Sequence, residues 1–133
     1  MDKVFADTGY YVGLLSEPDS LHDQAIAFSQ SGLWTVTTDF VLLEVGNLVG
    51  TSRRRSAFPQ LVGYLRSDPK TTILRVAPEL FDAGLELYER RPDKEWSMTD
   101  CISFVVMERE GLTEALTADH HFVQAGFRAL LQS

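Results

Sequence analysis

The sequence predicts an α/β fold, a three-layer sandwich in which helices cover both faces of a central, mostly parallel sheet. Short apolar runs alternate along the chain with longer stretches of helical periodicity. Strands that are separated by helices pair in parallel through right-handed crossovers, and such sheets carry helices on both faces. The chain has 133 residues and no internal repeat, so residues 1–133 are expected to form a single domain.

The predicted strands are short runs of apolar and β-branched residues. They cover residues 4–6, 33–37, 71–76 and 114–118. The first run is wholly apolar, the second and third are rich in residues that favour extended backbone, and the fourth ends directly before an aspartate. A last apolar segment covers residues 127–131.

The predicted helices lie where apolar residues recur at helical spacing. They cover residues 8–15, 21–31, 39–49, 56–66, 78–90 and 99–109, with a short helix from about residue 120. The first stops before Glu17-Pro18, the second ends at Ser31-Gly32, and Pro78 stands in a first turn, where proline is tolerated. Helical segments therefore separate every pair of successive strands.

The net charge argues against one class of protein, and the hydropathy argues against another. The net charge of −7, from 12 basic and 19 acidic residues, argues against binding nucleic acid through a broad basic surface. A polyanionic substrate would need local basic patches, metal ions or a partner. The apolar runs are too short to cross a bilayer and no secretory signal pattern is present, so a cytoplasmic location is expected.

Four acidic residues lie beside apolar segments that should build the core, namely Asp7, Glu44, Asp100 and Asp119. A carboxylate close to the core pays a desolvation penalty, and several together repel one another, so the set requires protons or cations among them. Oxygen ligands of this kind suit a hard divalent cation. The acids therefore predict one metal-binding pocket.

Topology and periodicity place these acids. Asp7 closes the first strand and Asp119 the fourth, so both should arrive at the carboxyl edge of the sheet, where α/β proteins bind ligands. Glu44 lies inside a helix among apolar neighbours three and four positions away, with Asn47 as its polar companion. Asp100 opens a helix and faces packed surface beside Ser103.

Structural alternatives exist for three of the acids. Asp7 and Asp119 each precede a helix and could be simple N-caps, and Asp100 could belong to a capping box begun by Ser97. Glu44 resists such an explanation because it lies within a helix rather than at its end.

The segments around the acids resemble PIN-domain proteins, close to the VapC-type toxins. The resemblance rests on residues 4–8 (Val-Phe-Ala-Asp-Thr), Glu44 followed by Asn47, residues 97–101 (Ser-Met-Thr-Asp-Cys) with Ser103, and residues 116–122 (Leu-Thr-Ala-Asp-His-His-Phe). It implies a parallel sheet of about five strands and a ribonuclease dependent on Mg²⁺ or Mn²⁺. It further implies a homodimer inhibited by a cognate antitoxin.

The resemblance also implies roles for particular residues. The four acids match the family's acidic quartet, and Thr8 and Thr99 match small hydroxyl positions beside them. Chemistry consistent with that quartet is attack on phosphorus by a metal-activated water, which leaves a 5′-phosphate. The competing interpretation is a catalytically inactive PIN-like module that binds RNA or protein.

Basic and aromatic residues are candidates for contacts with RNA or a partner. Arg53, Arg54 and Arg55 form a cluster that is either solvated, partner-binding or substrate-binding. Trp96 precedes Asp100 and either stacks on a splayed base or packs in the core or a dimer interface.

Two further hypotheses concern other chemistry. The Asp7-Thr8-Gly9 segment resembles the signature of retroviral-type aspartic proteases, but that fold is mostly β and would leave the other three acids unexplained. The histidines are assigned no catalytic role, because His120 and His121 should point in different directions and no His-x-x-x-His pair indicates zinc.

Overall fold

The computed structural model describes residues 2–133, and in it five strands alternate with seven helices. The strands are β1 (Lys3–Ala6), β2 (Trp34–Thr38), β3 (Thr71–Leu74), β4 (Glu114–Leu116) and β5 (Arg128–Ala129). The helices are α1 (Thr8–Leu15), α2 (His22–Ser29), α3 (Asp39–Val49), α4 (Ala57–Ser67), α5 (Pro78–Arg90), α6 (Met98–Arg109) and α7 (His120–Gln124).

The strands form one sheet in the order β3-β2-β1-β4-β5, and every neighbouring pair is parallel. The predicted fold class is confirmed, and the sheet is wholly rather than mostly parallel. From β1 the chain builds β2 and β3 on one side and then returns to build β4 and β5 on the other. The strand order thus reverses between β1 and β4, where an open parallel sheet leaves a crevice at its carboxyl edge.

The core centres on β1 and on a group of aromatic rings beside it. Val4, Phe5 and Ala6 are all buried, as expected for a central strand covered on both faces. The ring of Phe122 packs edge-to-face against Phe104 at 4.9 Å and against Phe5 at 6.3 Å. These contacts fasten α6 and α7 to the sheet beneath the ends of β1 and β4.

Two predicted strands end earlier than their sequence suggests. β3 stops at Leu74 rather than residue 76, because the Asp39 carboxylate accepts hydrogen bonds from Arg75 Nε (2.8 Å) and from the backbone N–H of Val76 (2.9 Å). β4 stops at Leu116 rather than residue 118, because Thr117 turns its backbone N–H to Ala115.

Helix boundaries shift in the same way, and the last apolar segment forms a very short strand. α2 spans His22–Ser29 rather than 21–31, because the Asp19 side chain accepts the Leu21 N–H and a turn ending at Gly32 (φ 80°) takes over at the other end. Within residues 2–133, no helix combines the length and apolar character needed to cross a membrane.

Candidate active site

The four acids lie together in the crevice at the carboxyl edge of the sheet. They line a single cavity of about 290 Å³. Its walls are completed by Thr8, Gly9, Val12, Asp19, Leu21, Leu48, Thr117 and Ala118. Parts of the chain more than one hundred residues apart are therefore brought to one acidic pocket, as the sequence predicts for a metal site.

Asp7 is held by the neighbouring strand rather than by a capping role. It occupies the N-cap position of α1, yet its side chain makes no capping hydrogen bond. Its backbone N–H donates to the carbonyl of Leu116 (3.2 Å), and its Oδ2 accepts a hydrogen bond from Thr117 Oγ1 (2.8 Å). The pairing of β1 with β4 thus fixes the position of this carboxylate.

Asp100 and Asp119 are caps as well as pocket residues. Asp100 closes a capping box in which its backbone N–H donates to Ser97 Oγ (3.0 Å) and its Oδ2 accepts from the Ser97 N–H (3.1 Å). Asp119 Oδ1 accepts from the backbone N–H of His121 (2.9 Å), which caps α7. The capping alternatives are therefore realised for these two residues without removing them from the pocket.

Each aspartate has one oxygen engaged and one oxygen available. The engaged atoms are Asp7 Oδ2, Asp100 Oδ2 and Asp119 Oδ1, while the second oxygen of each accepts no hydrogen bond from any residue in the range 2–133. Hydrogen bonds to one oxygen thus orient each carboxylate, two of them in the case of Asp100, and the other oxygen remains available to a ligand.

Thr117 links two of the acids and was not singled out from the sequence. Its buried hydroxyl donates to Asp7 Oδ2 and accepts the backbone N–H of Asp119 (3.1 Å). The only sequence signal was its position at the end of a strand, two residues before an acid. Asp19, which lines the cavity mouth, was also not anticipated.

Glu44 reaches the cavity from α3, on the side opposite the strand ends. It is only half-buried, and Leu48, one turn further on, is 60% exposed. The predicted apolar stripe around Glu44 is therefore partly wrong, because Leu48 faces the cavity mouth instead of the core.

Burial gives the pocket an unusual electrostatic character. Desolvation raises the pKa of Asp7 to about 7, against the opposing hydrogen bond from Thr117, and the nearby charges of Asp100 and Glu44 raise it further. Desolvation also raises the pKa of Asp100. Carboxylates in this state favour either a proton or a cation among them.

The chemistry of the pocket fits a hard divalent cation. Its available donors are carboxylate oxygens, together with the buried hydroxyl of Thr8, for which no hydrogen-bond partner lies within residues 2–133. Mg²⁺ and Mn²⁺ prefer oxygen ligands and retain waters, and the half-open cavity has space for them. An ion here would offset the desolvation, and the smaller repulsion, that raise the pKa of Asp7.

The two adjacent histidines do not point apart, and this prediction from the sequence is wrong. Their rings lie 4.5 Å from each other, tilted by 52°. His121 Nδ1 lies 3.0 Å from Asp100 Oδ2 and 3.4 Å from Asp119 Oδ1. His121 therefore contacts two of the acids from outside the cavity, a placement that the α7 turn imposes and that sequence spacing did not reveal.

Comparison with known proteins identifies the fold. The family model of the PIN domain matches residues 4–128. The chain belongs to the PIN-domain family. It is 27% identical over 132 residues to the 23S rRNA-specific endonuclease VapC20 of Mycobacterium tuberculosis, a match that covers 93% of this chain and 95% of the relative.

Solved PIN-domain structures agree with this assignment. The crystal structure of M. tuberculosis VapC20, described as a sarcin-ricin loop cleaving toxin, superimposes with a TM-score of 0.86 at 25% identity, covering 96% of this chain and 98% of that one. VapBC2 from Rickettsia felis, bound to a DNA fragment from their promoter, gives a TM-score of 0.65 at 14% identity, with 96% of both chains covered. FitAcB from Neisseria gonorrhoeae gives 0.66 at 15%, with 95% of this chain and 94% of that one covered. The resemblance recognised in the sequence is confirmed.

The predicted supporting residues divide into those at the PIN-domain pocket and those near it. Thr8 lines the cavity. Ser103 is buried one turn beyond Thr99 and donates its hydroxyl to the Thr99 carbonyl (2.8 Å), which stabilises the start of α6 below Asp100. Asn47 is exposed and lines a separate groove between α3 and α4, so the structure places it outside the pocket.

None of the four predicted RNA or partner contacts lines the acidic cavity. Arg53, Arg54 and Arg55 occupy the loop after α3, where Arg55 Nη1 donates to the Gly50 carbonyl (2.8 Å). Trp96 is 6% exposed, and it packs edge-to-face on Phe104 at 5.0 Å. The core interpretation of Trp96 therefore fits the structure, whereas a ring stacked on RNA at the pocket mouth does not.

Proposed function

We propose that this protein is a divalent-metal-dependent endoribonuclease of the VapC toxin type. The observation that carries the proposal is the meeting of Asp7, Glu44, Asp100 and Asp119 in one cavity at the carboxyl edge of the sheet. The ribonuclease prediction agrees with homology to a named endonuclease over 93% of the chain.

The pocket residues have distinct tasks in this proposal. Asp7, Asp100 and Asp119 present their available oxygens to Mg²⁺ or Mn²⁺, with Glu44 closing the site from α3. A bound ion of this kind supplies a water activated for attack on phosphorus and positive charge for the departing oxygen. Thr117 holds the Asp7 carboxylate, and the Ser97 N–H together with His121 holds that of Asp100.

The choice of Mg²⁺ or Mn²⁺ follows from the donors alone. Oxygen ligands in a partly open cavity suit both ions, which keep several waters that a phosphate can displace. Because the protein carries a net charge of −7, metal charge at the pocket would offset its repulsion of RNA. Arg53, Arg54 and Arg55 are proposed to add a local contact with RNA or with a partner.

The first RNA to test is 23S rRNA. The relative VapC20 is named as specific for this RNA, and its structure is described as that of a sarcin-ricin loop cleaving toxin. At 27% identity the fold and the acids are a firmer guide than the substrate. Cleavage sites should therefore be mapped on total RNA as well as on the isolated loop.

A cognate antitoxin and a homodimer complete the proposal. Support comes from structural neighbours that include VapBC2, and from large apolar side chains exposed on this chain. On α3, Leu43 and Leu48 are 63% and 60% exposed, and Tyr88 on α5 is 50% exposed. Light scattering on the purified protein tests for the dimer, and growth arrest on expression that a neighbouring open reading frame relieves tests for the antitoxin.

The decisive experiment is RNA cleavage by the purified protein with and without metal. We expect cleavage in Mg²⁺ or Mn²⁺, none in EDTA, and products with 5′-phosphates. Asp7→Asn and Asp100→Asn should fold yet fail to cleave. Equal cleavage by these variants and the parent would refute the assignment, and RNA binding without cleavage by the parent would favour an inactive PIN-like module.

A further inference from the structure

The outer rim of the pocket carries a second set of metal-binding groups. Asp119, His120 and His121 each offer a ligand atom, and these atoms all lie within 4.8 Å of one another. Among residues 2–133, neither His120 nor His121 lines the acidic cavity. The rim set is thus joined to the acidic pocket through Asp119.

Two of the distances within this set are close to the edges of a tetrahedron around a small ion. Asp119 Oδ1 lies 3.4 Å from His121 Nδ1 and 3.7 Å from His120 Nδ1. When ligands bind zinc tetrahedrally at about 2.0–2.1 Å, neighbouring ligand atoms lie about 3.3 Å apart. Two of the three ligand distances are thus close to those around one shared ion, and the third, between the two imidazoles, is at most 4.8 Å.

Asp100 adjoins this set through His121, but it does not belong to the group whose ligand atoms all lie within 4.8 Å of one another. Asp100 Oδ2 lies 3.0 Å from His121 Nδ1. The His120 side chain is 74% exposed and free to adjust, whereas that of His121 is 19% exposed and held between the two acids. The His121 imidazole is thus already in position, and the His120 imidazole can rotate in from solvent to bind the ion.

The donor chemistry differs from that of the pocket interior. Two imidazole nitrogens with one carboxylate oxygen suit Zn²⁺, whereas Mg²⁺ demands an octahedron of oxygens and keeps its waters. The rim should therefore discriminate strongly between these ions.

We propose that His120, His121 and Asp119 form a rim site for Zn²⁺ that inhibits the nuclease. A zinc ion bound there takes Asp119 Oδ1 and the His121 nitrogen that contacts Asp100, and its positive charge lies beside both carboxylates, so the catalytic ion binds them more weakly. Zinc binding stands on the rim geometry alone, and only its inhibitory effect rests on the proposed function.

A zinc titration tests the site directly. The full chain is titrated with Zn²⁺ against a colorimetric zinc chelator, in millimolar Mg²⁺ so that the pocket interior is occupied. We expect one tight Zn²⁺ per chain. His120→Asn and His121→Asn should each weaken binding more than about tenfold, because even residues that merely support a metal ligand contribute about ten- to a hundred-fold.

Matched variants show where the zinc binds. His22→Asn changes the remaining histidine, which bonds the Gly13 carbonyl and is not part of the rim set, and should bind Zn²⁺ as the parent does. Asp7→Asn should also retain zinc binding, because Asp7 lies outside the rim set. Tight binding that survives in the variant lacking both rim imidazoles would overturn the proposal. Loss of binding in Asp7→Asn as complete as in that variant would do so too.

Two further measurements complete the test. X-ray absorption at the zinc edge should report two imidazoles in the parent and one in His120→Asn, and a shell of oxygens alone would contradict the rim site. His120→Asn should keep its Mg²⁺-supported cleavage but require more than about tenfold more Zn²⁺ for half inhibition. An unchanged Zn²⁺ requirement would overturn the inhibitory role. If the parent cleaves no RNA, the proposed function fails while the titration still decides the zinc site.

Discussion

The two halves of the acidic pocket are built differently. Asp7 and Asp100 are 7% and 8% exposed and are oriented by neighbouring donors, whereas Glu44 and Asp119 are half-buried and closer to solvent. The buried half pays a desolvation penalty that the exposed half largely avoids, as the raised pKa values of Asp7 and Asp100 indicate. The fold thus accepts an unfavourable burial of charge at Asp7 and Asp100, where the geometry of the carboxylates must be fixed. The half formed by Glu44 and Asp119 stays open to an ion and its waters.

The largest expected effect of this difference is on catalysis. Asp7→Asn or Asp100→Asn should reduce kcat/KM for RNA cleavage at least about a thousandfold, because each removes a fixed ligand in a water-poor part of the pocket. Glu44→Gln should cost only about ten- to a hundred-fold, since water can replace a half-exposed ligand. Initial rates in Mg²⁺ measure this, with circular dichroism to verify folding. A Glu44→Gln variant as inactive as Asp7→Asn would remove the distinction between the two halves.

The second effect is on stability in the absence of metal. Because the pKa of Asp7 rises from 3.8 to about 7 on folding, the folded chain binds this proton more tightly than the unfolded chain. Its contribution to the free energy of unfolding is therefore fully present below about pH 4 and declines as the pH rises to about 7. At pH 8 in EDTA, Asp7→Asn should be more stable than the parent by on the order of 2–4 kcal/mol.

Urea unfolding of the two proteins across this pH range measures the difference. The gap should close at about pH 4, where the parent carboxyl is also neutral, and shrink at pH 8 when Mg²⁺ is added, because the ion stabilises the parent by binding its folded state. A parent that gains stability relative to Asp7→Asn between about pH 4 and pH 7 would contradict the sign of the shift.

A smaller effect distinguishes the hydrogen bond that orients Asp7 from the packing of the same side chain. Thr117→Val removes the hydroxyl that donates to Asp7 and should weaken Mg²⁺ binding about tenfold, measured by calorimetry. Thr37→Val is the matched control, because its equally buried hydroxyl donates to the Ala6 carbonyl (2.9 Å) and touches no pocket carboxylate. Both should unfold more easily than the parent, but only the first should lose metal affinity. Equal Mg²⁺ affinities in the two variants would assign Thr117 a purely structural role.

The smallest effect is expected where a carboxylate is fully exposed. Glu79 forms an ion pair with Arg109 at 2.7 Å on the surface, and Glu79→Gln removes the same unit of charge as Asp7→Asn. Because solvent screens such pairs, cleavage and metal binding should be unchanged and the melting temperature should hardly move. A marked loss of cleavage here would mean that overall charge, rather than the pocket, governs activity.

The fold could be predicted from the sequence because each element is indicated by the pattern of its own residues. The apolar tripeptide of β1 and the helical spacing of α3 and α5 predict elements whose bounds the structure reproduces closely. The errors come from side chains that compete for backbone groups at the ends of elements. Asp39 takes the Val76 N–H and thereby shortens β3, and no propensity of residues 71–76 indicates this.

The four acids could be predicted from the sequence for a related reason, whereas the residues that orient them could not. Asp7 directly follows β1 and Asp119 lies three residues after β4, so topology alone brings them to one edge. The contacts of Thr117 and His121 depend on the direction of a side chain after a turn, which residue spacing does not fix. The prediction that Leu48 faces the core was wrong, because helical periodicity does not distinguish a residue that faces the core from one that faces the mouth of a cavity.

The bond between Thr117 and Asp7 joins residues separated by 110 positions in the chain. During synthesis Asp7, Glu44 and Asp100 are all translated before the strand that orients the first of them exists. Under the proposed function, a nascent polypeptide stays unable to cut RNA until β4 and the turn after it have been translated and have docked beside β1. Under the same proposal, the late position of this strand delays RNA cleavage until the residues up to Asp119 have been translated and have folded.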